Sequence, residues 1–256
     1  MLALLAQLES VLRNPRANAE RAAEALAAHP EVDIAVFPEL FLSAYDLHSL
    51  DESARRADCD ELAAVAEAAA RTATAVVIGF AELHGDGSLF NSVACIDRDG
   101  TPGGVYRKTQ LFAGERKVFR AGRELRIVRL AGLAAAPLIC FDVEFPELPR
   151  ALARAGAELL VTASANMEPY ASDHDLATRA RALENHLPHL YANAVGTIGG
   201  LHFVGCSRSV GSSGEVLAEA GTGEALLVAP VGAAGAGDES VDYLGQLPGP
   251  LSVATG

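Results

Sequence analysis

The chain has 256 residues, half of them hydrophobic, which is enough for one large domain with a substantial core. Its formal net charge of −13 at pH 7 disfavours nonspecific binding to nucleic acid or anionic lipid, and no uninterrupted apolar run reaches transmembrane length. The four cysteines are widely spaced without a CxxC pair, and the N-terminus lacks the features of a signal peptide. We therefore expect a reduced, cytoplasmic protein that binds neither nucleic acid nor membrane.

Strands and helices alternate in the first third of the chain. Residues 2–7 predict a strand, and residues 14–29 combine strong helix formers with apolar residues at helical spacing. Residues 33–37 predict a second strand, residues 58–74 a helix with an acidic beginning, and residues 75–83 a third strand. This order indicates αβ units and therefore the α/β fold class.

Glu39 follows the second predicted strand, directly after Pro38. Its apolar neighbours Phe37, Leu40 and Phe41 would desolvate the carboxylate and raise its pKa, as a general base requires. A solvated loop acid is the commoner role of a glutamate. Glu39 is thus a candidate base whose role depends on its partners.

The next segment predicts a strand at residues 91–97, between turns at residues 84–87 and 98–100. Lys108 ends an apolar and basic stretch, and Glu115 lies in the loop that follows it. Solvent-exposed side chains are the simplest interpretation of both residues. Neither would be a functional candidate without further evidence.

Cys140 lies on a turn between a predicted buried strand at residues 134–139 and a helix that begins around Pro146. Such a turn exposes a nucleophile where backbone N–H groups favour negative charge. A single cysteine after a strand is more often a core residue, and a reactive thiol needs a base. None of the seven histidines lies in a comparable setting, so the base must come from elsewhere.

The rest of the chain continues the alternation. Asn166 lies in the polar segment 164–170, just past the end of a predicted strand. No repeat or linker divides the chain, so we predict a single domain covering residues 1–256, with a tail from about residue 232 that is extended or poorly ordered. The predicted elements are a helix at 173–186 and strands at 158–163, 190–195, 203–210, 215–218 and 225–228.

Motifs for nucleotides and metals are missing from the sequence. The glycines between residues 196 and 214 form neither GxGxxG nor a phosphate-binding loop, and the histidines show no HExxH or comparable spacing. We predict that the protein uses no cofactor and no metal ion.

Three segments in order resemble the glutamate, lysine and cysteine motifs of the nitrilase, or carbon–nitrogen hydrolase, superfamily. They are residues 36–40 (Val-Phe-Pro-Glu-Leu), 106–112 (Tyr-Arg-Lys-Thr-Gln-Leu-Phe) and 139–147 (Ile-Cys-Phe-Asp-Val-Glu-Phe-Pro-Glu). The third segment looks more like the amidase branches than the nitrilase branches. Further similarity lies in residues 114–122, 181–185, 191–193 and 205–214.

The resemblance implies a four-layer α-β-β-α sandwich, usually paired through its helices into a homodimer or a larger homo-oligomer. It implies cofactor-free hydrolysis of the C–N bond of a small linear carboxamide. The reaction would pass through a cysteine thioester, releasing ammonia or an amine first and a carboxylic acid afterwards.

The resemblance also implies roles for individual residues. Cys140 would be the nucleophile, and Glu39 the general base that takes its proton and later activates water. Lys108, with the backbone N–H of Phe141, would stabilise the oxyanion. Glu115 resembles an additional glutamate that positions substrate and supports proton transfer.

Four residues are candidates for contact with the substrate: Tyr45, Phe141, Glu144 and Asn166. Tyr45 follows Ala44 where family members often have glycine, and Phe141 replaces a common tyrosine. Glu144 takes a place where relatives that act on amides with a free carboxylate often carry arginine. If it faces the pocket, it would favour neutral or amine-bearing amides.

Several alternatives remain open. Glu144 could instead point to solvent or pair with Arg150. Nitriles and N-carbamoyl compounds are possible substrates within the same family. A nitrilase-like binding protein without catalysis is a second class of function, although no member of the triad is missing. A redox protein pairing Cys140 with Cys59, Cys95 or Cys206 is a third, and it leaves the glutamate and lysine motifs unexplained.

Overall fold

The computed structural model describes residues 1–235 and 243–246, which contain fourteen strands and five α-helices. The helices are α1 (Pro15–Ala28), α2 (Leu50–Ser53), α3 (Asp60–Thr72), α4 (Glu147–Arg154) and α5 (Ala171–Asn185). The strands are β1 (Leu2–Gln7), β2 (Ile34–Val36), β3 (Ala75–Leu83), β4 (Leu89–Ile96), β5 (Pro102–Arg107), β6 (Val128–Leu130), β7 (Leu133–Ile139), β8 (Leu159–Ser164), β9 (His189–Asn193), β10 (Val195–Ile198), β11 (Leu201–Val204), β12 (Arg208–Val210), β13 (Val216–Glu219) and β14 (Ala225–Pro230).

Two six-stranded mixed sheets form the centre of the protein. The first has the order β14-β1-β2-β3-β4-β5 and the second the order β13-β12-β9-β8-β7-β6. In each sheet three central strands run parallel, namely β1, β2 and β3 in the first and β7, β8 and β9 in the second. A separate hairpin pairs β10 with β11.

The alternation of side chains along the strands produces the layers. On β1, Leu4 and Ala6 face α1 and α3, whereas Ala3 and Leu5 face the second sheet. On β7, Ile139 belongs to the core between the sheets. The other face of β7 packs against α4 in an outer core. The predicted four-layer α-β-β-α sandwich is confirmed.

Helix boundaries follow local sequence signals. The side chain of Asn14 caps α1 by accepting a hydrogen bond from the backbone N–H of Ala17, and Pro15 occupies the first helical turn. Asp60 and Glu61 lie in the first turn of α3 and Arg71 in its last turn, which complements the helix dipole. These signals explain why the predicted helices agree with the structure to within a few residues.

The predicted strand at residues 203–210 is wrong, because the chain breaks between β11 and β12. Gly205 and Cys206 both have positive φ angles, 66° and 57°. The buried side chain of Gln7 approaches this turn and accepts a hydrogen bond from the backbone N–H of Ser207. A Cβ atom at position 205 would lie 2.6 Å from the Gln7 amide nitrogen. The break thus accommodates a buried polar side chain that local sequence does not reveal.

Smaller differences concern neighbouring elements. The predicted strand at residues 190–195 ends at Asn193, and Val195 begins β10 instead. Strand β6 and the 3₁₀ turns at Ala113–Lys117 and Cys140–Glu144 carry no clear sequence signal. The predicted tail lies largely outside the described residues, at 236–242 and 247–256. None of the described helices is long and apolar enough to span a bilayer.

Gly79 on β3 provides a test of close packing in the first sheet. A Cβ atom there would lie 2.3 Å from the carbonyl oxygen of Pro38 and 2.4 Å from the backbone nitrogen of Leu40. We expect Gly79→Ala to lower the free energy of unfolding by roughly 1–3 kcal/mol, because backbone atoms must move to admit the methyl group. Urea denaturation measures this change.

Gly85 is the matched control, since a Cβ atom there meets no heavy atom within 4 Å. We expect Gly85→Ala to stay within about 0.5 kcal/mol of the wild type. Equal stability of the two variants would contradict the close approach at Gly79.

Candidate active site

Three candidate residues emerge from different strands at the same end of the molecule. Glu39 lies three residues after β2, Lys108 directly after β5, and Cys140 directly after β7. The backbone N–H of Glu39 donates to the carbonyl of Ser164, at the end of β8 in the second sheet. The site therefore lies where the two sheets meet.

Lys108 binds two carboxylates in the interior. Its Nζ donates to Oε1 of Glu39 at 2.6 Å and to Oε1 of Glu115 at 2.9 Å. The three residues are at most 2% exposed. The structure thus brings together the two glutamates and the lysine that the sequence singled out, and the exposed alternatives for Lys108 and Glu115 are wrong.

Further hydrogen bonds fix the carboxylates. Asn91 on β4 donates its amide to Oε1 of Glu39 at 2.7 Å and to Oε1 of Glu115 at 3.1 Å. The Tyr45 hydroxyl donates to the same Glu115 oxygen at 2.8 Å, and the backbone N–H of Phe112 donates to its Oε2 at 2.8 Å. Oε2 of Glu39 is buried and finds no hydrogen-bond partner in the described part of the chain. That oxygen is available to accept a proton.

The charges of this cluster shift the pKa values of its members. Burial raises the pKa of Glu39 to about 7, although the Lys108 ammonium opposes the shift. The direction agrees with the prediction from its apolar neighbours. Burial disfavours the Lys108 ammonium, but the two carboxylates outweigh this effect and raise its pKa. Lys108 is therefore charged at neutral pH, whereas Glu39 can exchange a proton.

Cys140 begins the 3₁₀ turn with a φ angle of +44°, a left-handed conformation that costs a non-glycine residue about 1–3 kcal/mol. Burial and the charge of Glu39 raise the pKa of its thiol. Lys108, the Ser164 hydroxyl and the backbone N–H of Ala165 oppose this shift. The resting thiol consequently keeps its proton and needs an acceptor when it attacks.

Asp142 holds the cysteine turn in place through five hydrogen bonds. Its Oδ1 accepts from the hydroxyl and the backbone N–H of Thr109 and from the backbone N–H of Gln110. Its Oδ2 accepts from the Tyr106 hydroxyl and the backbone N–H of Ile139. This buried carboxylate connects the lysine loop to the cysteine turn. The sequence gives Asp142 no clear role, because its burial and its partners appear only in the structure.

Arg181 on α5 supports the same turn from the other side. Its guanidinium donates to the backbone carbonyl of Val143 at 2.9 Å and to that of Glu144 at 3.3 Å. It also bonds the carboxylate of Glu184 at 2.7 Å. The segment at 181–185, noted only as a similarity, thus contributes an arginine that holds the backbone of the cysteine turn.

A narrow cavity of about 20 Å³ opens in front of Cys140. The rings of Phe141 and Tyr170 both pack edge-on against Phe112, with centroid distances of 5.3 and 5.6 Å. The cavity is lined by Phe112, Cys140, Phe141, Glu144, Ala165, Asn166, Met167, Tyr170 and His174. This is a small, mostly apolar space with a carboxylate and an imidazole in its wall.

The four predicted substrate contacts differ in position. Phe141, Glu144 and Asn166 line the cavity, whereas Tyr45 lies behind Glu115. Glu144 meets Nε2 of the buried His174 at 3.3 Å. The side chain of Asn166 bonds the backbone of its own loop, donating to the carbonyl of Tyr170 and accepting from the backbone N–H of Met167. Asn166 thus shapes the wall with its polar atoms already engaged.

The remaining thiols and potential metal ligands are separate from this cluster. Cys59, Cys95 and Cys206 are free, and burial raises the pKa of Cys95 to about 12. Within residues 1–235 and 243–246, no three His, Cys, Asp or Glu side chains are grouped to hold a metal ion.

Known enzymes share this fold. The structure of an amidase from Nesterenkonia sp. superposes with a TM-score of 0.86 and 28% sequence identity, covering 96% of this chain and 93% of that chain. Another structure of that amidase carries the acetamide moiety of fluoroacetamide covalently added at the active-site cysteine. An alanine mutant of that cysteine has been solved in complex with butyramide.

Two bacterial relatives match the sequence directly. An (R)-stereoselective amidase from Pseudomonas sp. is 39% identical over 199 residues, which cover 76% of this chain and 71% of that protein. A protein from Pseudomonas protegens, named a hydrolase in the pqqF 5′ region, is 37% identical over 218 residues, covering 82% of this chain and 75% of the relative. The model of the carbon-nitrogen hydrolase family matches residues 2–237. The chain therefore belongs to the carbon-nitrogen hydrolase family.

Proposed function

We propose that the protein is an amidase that hydrolyses the C–N bond of a small linear carboxamide through a thioester at Cys140. The observation that carries this proposal is the buried Oε2 of Glu39, which lacks a hydrogen-bond partner among the described residues. It belongs to a carboxylate held by Lys108, whose charge acts on the Cys140 thiol. A protonated nucleophile thus lies close to a base whose pKa is about 7.

In the first half of the proposed reaction, Glu39 takes the thiol proton as Sγ of Cys140 attacks the carbonyl carbon. The new S–C bond places negative charge on the carbonyl oxygen, which the Lys108 ammonium and the backbone N–H of Phe141 stabilise. Glu39 then returns the proton to the leaving nitrogen, so the C–N bond breaks and ammonia or an amine departs.

In the second half, Glu39 takes a proton from water, and the hydroxide attacks the thioester. The C–S bond breaks, the thiol regains its proton, and a carboxylic acid leaves. Glu115 makes four hydrogen bonds, to Lys108, Asn91, Tyr45 and the N–H of Phe112, and therefore has little freedom to move. We propose that it positions Lys108 and takes part in proton transfer only indirectly.

The cavity supports a short acyl group. Its free volume is only about 20 Å³, and three aromatic rings form much of its wall, which limits the length of the acyl group. The acetamide adduct and the butyramide complex of the Nesterenkonia amidase support the same substrate size. Nitriles and N-carbamoyl compounds remain alternatives, since attack on either also starts from the thiol.

The localisation and the pairing of the protein are also proposals. We propose that the protein is cytoplasmic, and that it pairs through α5, where Leu176 is 71% and Leu183 41% exposed. Apolar side chains of that size on one helix favour burial against another copy.

A panel of amides, nitriles and N-carbamoyl compounds tests the proposed function most broadly. We expect ammonia release from short aliphatic amides, and its loss in Cys140→Ala, because an alanine at this position cannot form the thioester. Cys206→Ala is the matched control with expected wild-type rates, since Cys206 lies in the turn between β11 and β12. Ammonia release that persists in Cys140→Ala would refute Cys140 as the nucleophile. Hydrolysis of nitriles but not of amides would refute the amide as the substrate.

The raised pKa of Glu39 predicts a pH profile. We expect kcat/KM to rise with pH through about 7, because Glu39 accepts a proton only after losing its own. In Glu39→Gln this rise with pH should disappear, and kcat should fall at least about a hundredfold. Lys108→Met should lower kcat by a similar factor without changing the fold. The exposed Glu67→Gln on α3 serves as the control. Near-normal turnover of either site variant would contradict the assignment.

Glu144 predicts the charge preference of the substrate. A carboxylate in the cavity wall repels a second carboxylate by roughly a few kcal/mol at intermediate dielectric. We expect a higher kcat/KM for an amide ending in methyl or ammonium than for a matched amide of equal length ending in carboxylate. Glu144→Arg should reverse this order, because a guanidinium binds carboxylate bidentately. A wild-type preference for the carboxylate substrate, unchanged in the variant, would show that Glu144 does not set specificity.

A further inference from the structure

A chain of polar side chains leads from Cys140 to Glu144 on the side away from Lys108. Strands β7 and β8 pair in parallel up to Ile139 and Ala163, so Cys140 and Ser164 follow at adjacent positions, and the Ser164 side chain lowers the pKa of the Cys140 thiol. The Tyr191 hydroxyl lies 3.0 Å from Oγ of Ser164 and 2.8 Å from Nδ1 of His174. Nε2 of His174 lies 3.3 Å from the Glu144 carboxylate.

The inner members of this chain are shielded from water, whereas its end is not. Ser164 is 0%, Tyr191 1% and His174 3% exposed. The Glu144 side chain is 31% exposed at the wall of the cavity. A buried hydroxyl between two others must donate to one neighbour and accept from the next, so the orientations of all members are linked.

Two orientations of the chain are possible. With a neutral His174, Nε2–H donates to Glu144 and Nδ1 accepts from Tyr191, so Tyr191 accepts from Ser164 and Ser164 accepts from the thiol. In the reverse orientation Ser164 donates to a thiolate, Tyr191 donates to Ser164, and Nδ1–H of His174 donates to Tyr191. His174 then needs hydrogen on both nitrogens, because a carboxylate at Glu144 only accepts.

We propose that Ser164 donates a hydrogen bond to the Cys140 thiolate during attack, and that Tyr191, His174 and Glu144 aim its hydroxyl. This inference rests on the proposed role of Cys140 as nucleophile. In this proposal Ser164 acts on the reacting sulfur itself, whereas Tyr191 and His174 are positioning residues. The nucleophile and the wall of the cavity are thereby connected by a route that does not include Lys108.

The protons balance in this arrangement. Glu39 removes the thiol proton, each hydroxyl in the chain turns without losing its own, and His174 takes up one proton from water at the exposed edge of Glu144. When the thiol regains its proton, the chain turns back and His174 releases its extra proton. Thiolate formation is thus coupled to proton uptake by the His174 and Glu144 pair.

The surroundings of His174 determine when this uptake is possible. Burial lowers the pKa of His174, and the charge of Lys108 across the site lowers it further. Glu144 in the cysteine turn and Asp173 on the same helix raise this pKa. His189 and Tyr191 face His174 from β9. Uptake becomes harder as pH rises, and because the pKa of His174 is lowered, the contribution of the chain should be largest at mildly acidic pH.

Alkylation of Cys140 by iodoacetamide tests this chain without any amide substrate. The rate at Cys140 is followed by peptide mass spectrometry from about pH 6 to about pH 10 in wild type and in Tyr191→Phe, which keeps the ring. We expect Tyr191→Phe to react about tenfold more slowly at the acidic end of this range, with the difference shrinking as pH rises. Tyr243→Phe is the matched control, because Tyr243 stacks on His186 outside the chain.

Two further variants keep the proposal falsifiable if Tyr191→Phe fails to fold. Ser164→Ala removes the first link, and His174→Asn leaves a polar partner for Tyr191 that cannot take up a proton. We expect both variants to show the same pH-dependent loss of alkylation rate at Cys140. Rates within about twofold of wild type, or a loss independent of pH, would overturn the chain. If the protein hydrolyses amides but the variants are alkylated at Cys140 as fast as wild type, only this chain is refuted. If the variants show the expected loss of alkylation but the protein hydrolyses no amide, only the proposed function is refuted.

Discussion

The buried Lys108 ammonium is the charge on which the site depends. Isolated ions in a protein interior cost several kcal/mol each, so a buried lysine persists only beside opposite charge and with its hydrogen bonds filled. Glu39 and Glu115 supply that charge at 2.6 and 2.9 Å. Burial raises the pKa of Glu39 to about 7 and also raises that of the neighbouring thiol, and the negative charge of the surrounding carboxylates adds to both shifts. Burial and charge together thus create the base that the proposed chemistry needs.

The site joins the two sheets, because Glu39 and Lys108 follow strands of the first sheet and Cys140 follows a strand of the second. Asp142 in the second sheet's cysteine turn accepts hydrogen bonds from the loop that follows Lys108 in the first sheet. The N–H of Glu39 in turn donates to Ser164 at the end of β8. A shift of one sheet relative to the other would break these bonds together. The apolar core between the sheets therefore sets distances that the polar groups require.

Much of the site could be predicted, because Glu39 and Cys140 follow predicted strands, and because the resemblance to the lysine motif singled out Lys108. Asn91 was missed for a physical reason: it lies within β4, and its direction depends on the pairing of β4 with β3 and β5. Ser164, Tyr191 and His174 come from two strands and a helix, so only tertiary structure brings them together. The break at Gly205 likewise depends on Gln7, nearly two hundred residues away along the chain.

Intact-mass spectrometry during turnover tests the central claim most directly. Wild type and Cys140→Ala would be mixed with a short aliphatic amide and quenched in acid, and any added mass would be located by peptide mapping. We expect a mass increase equal to the acyl group, located on Cys140 and absent from the alanine variant. An acyl group on another residue, or an adduct that persists in Cys140→Ala, would contradict it.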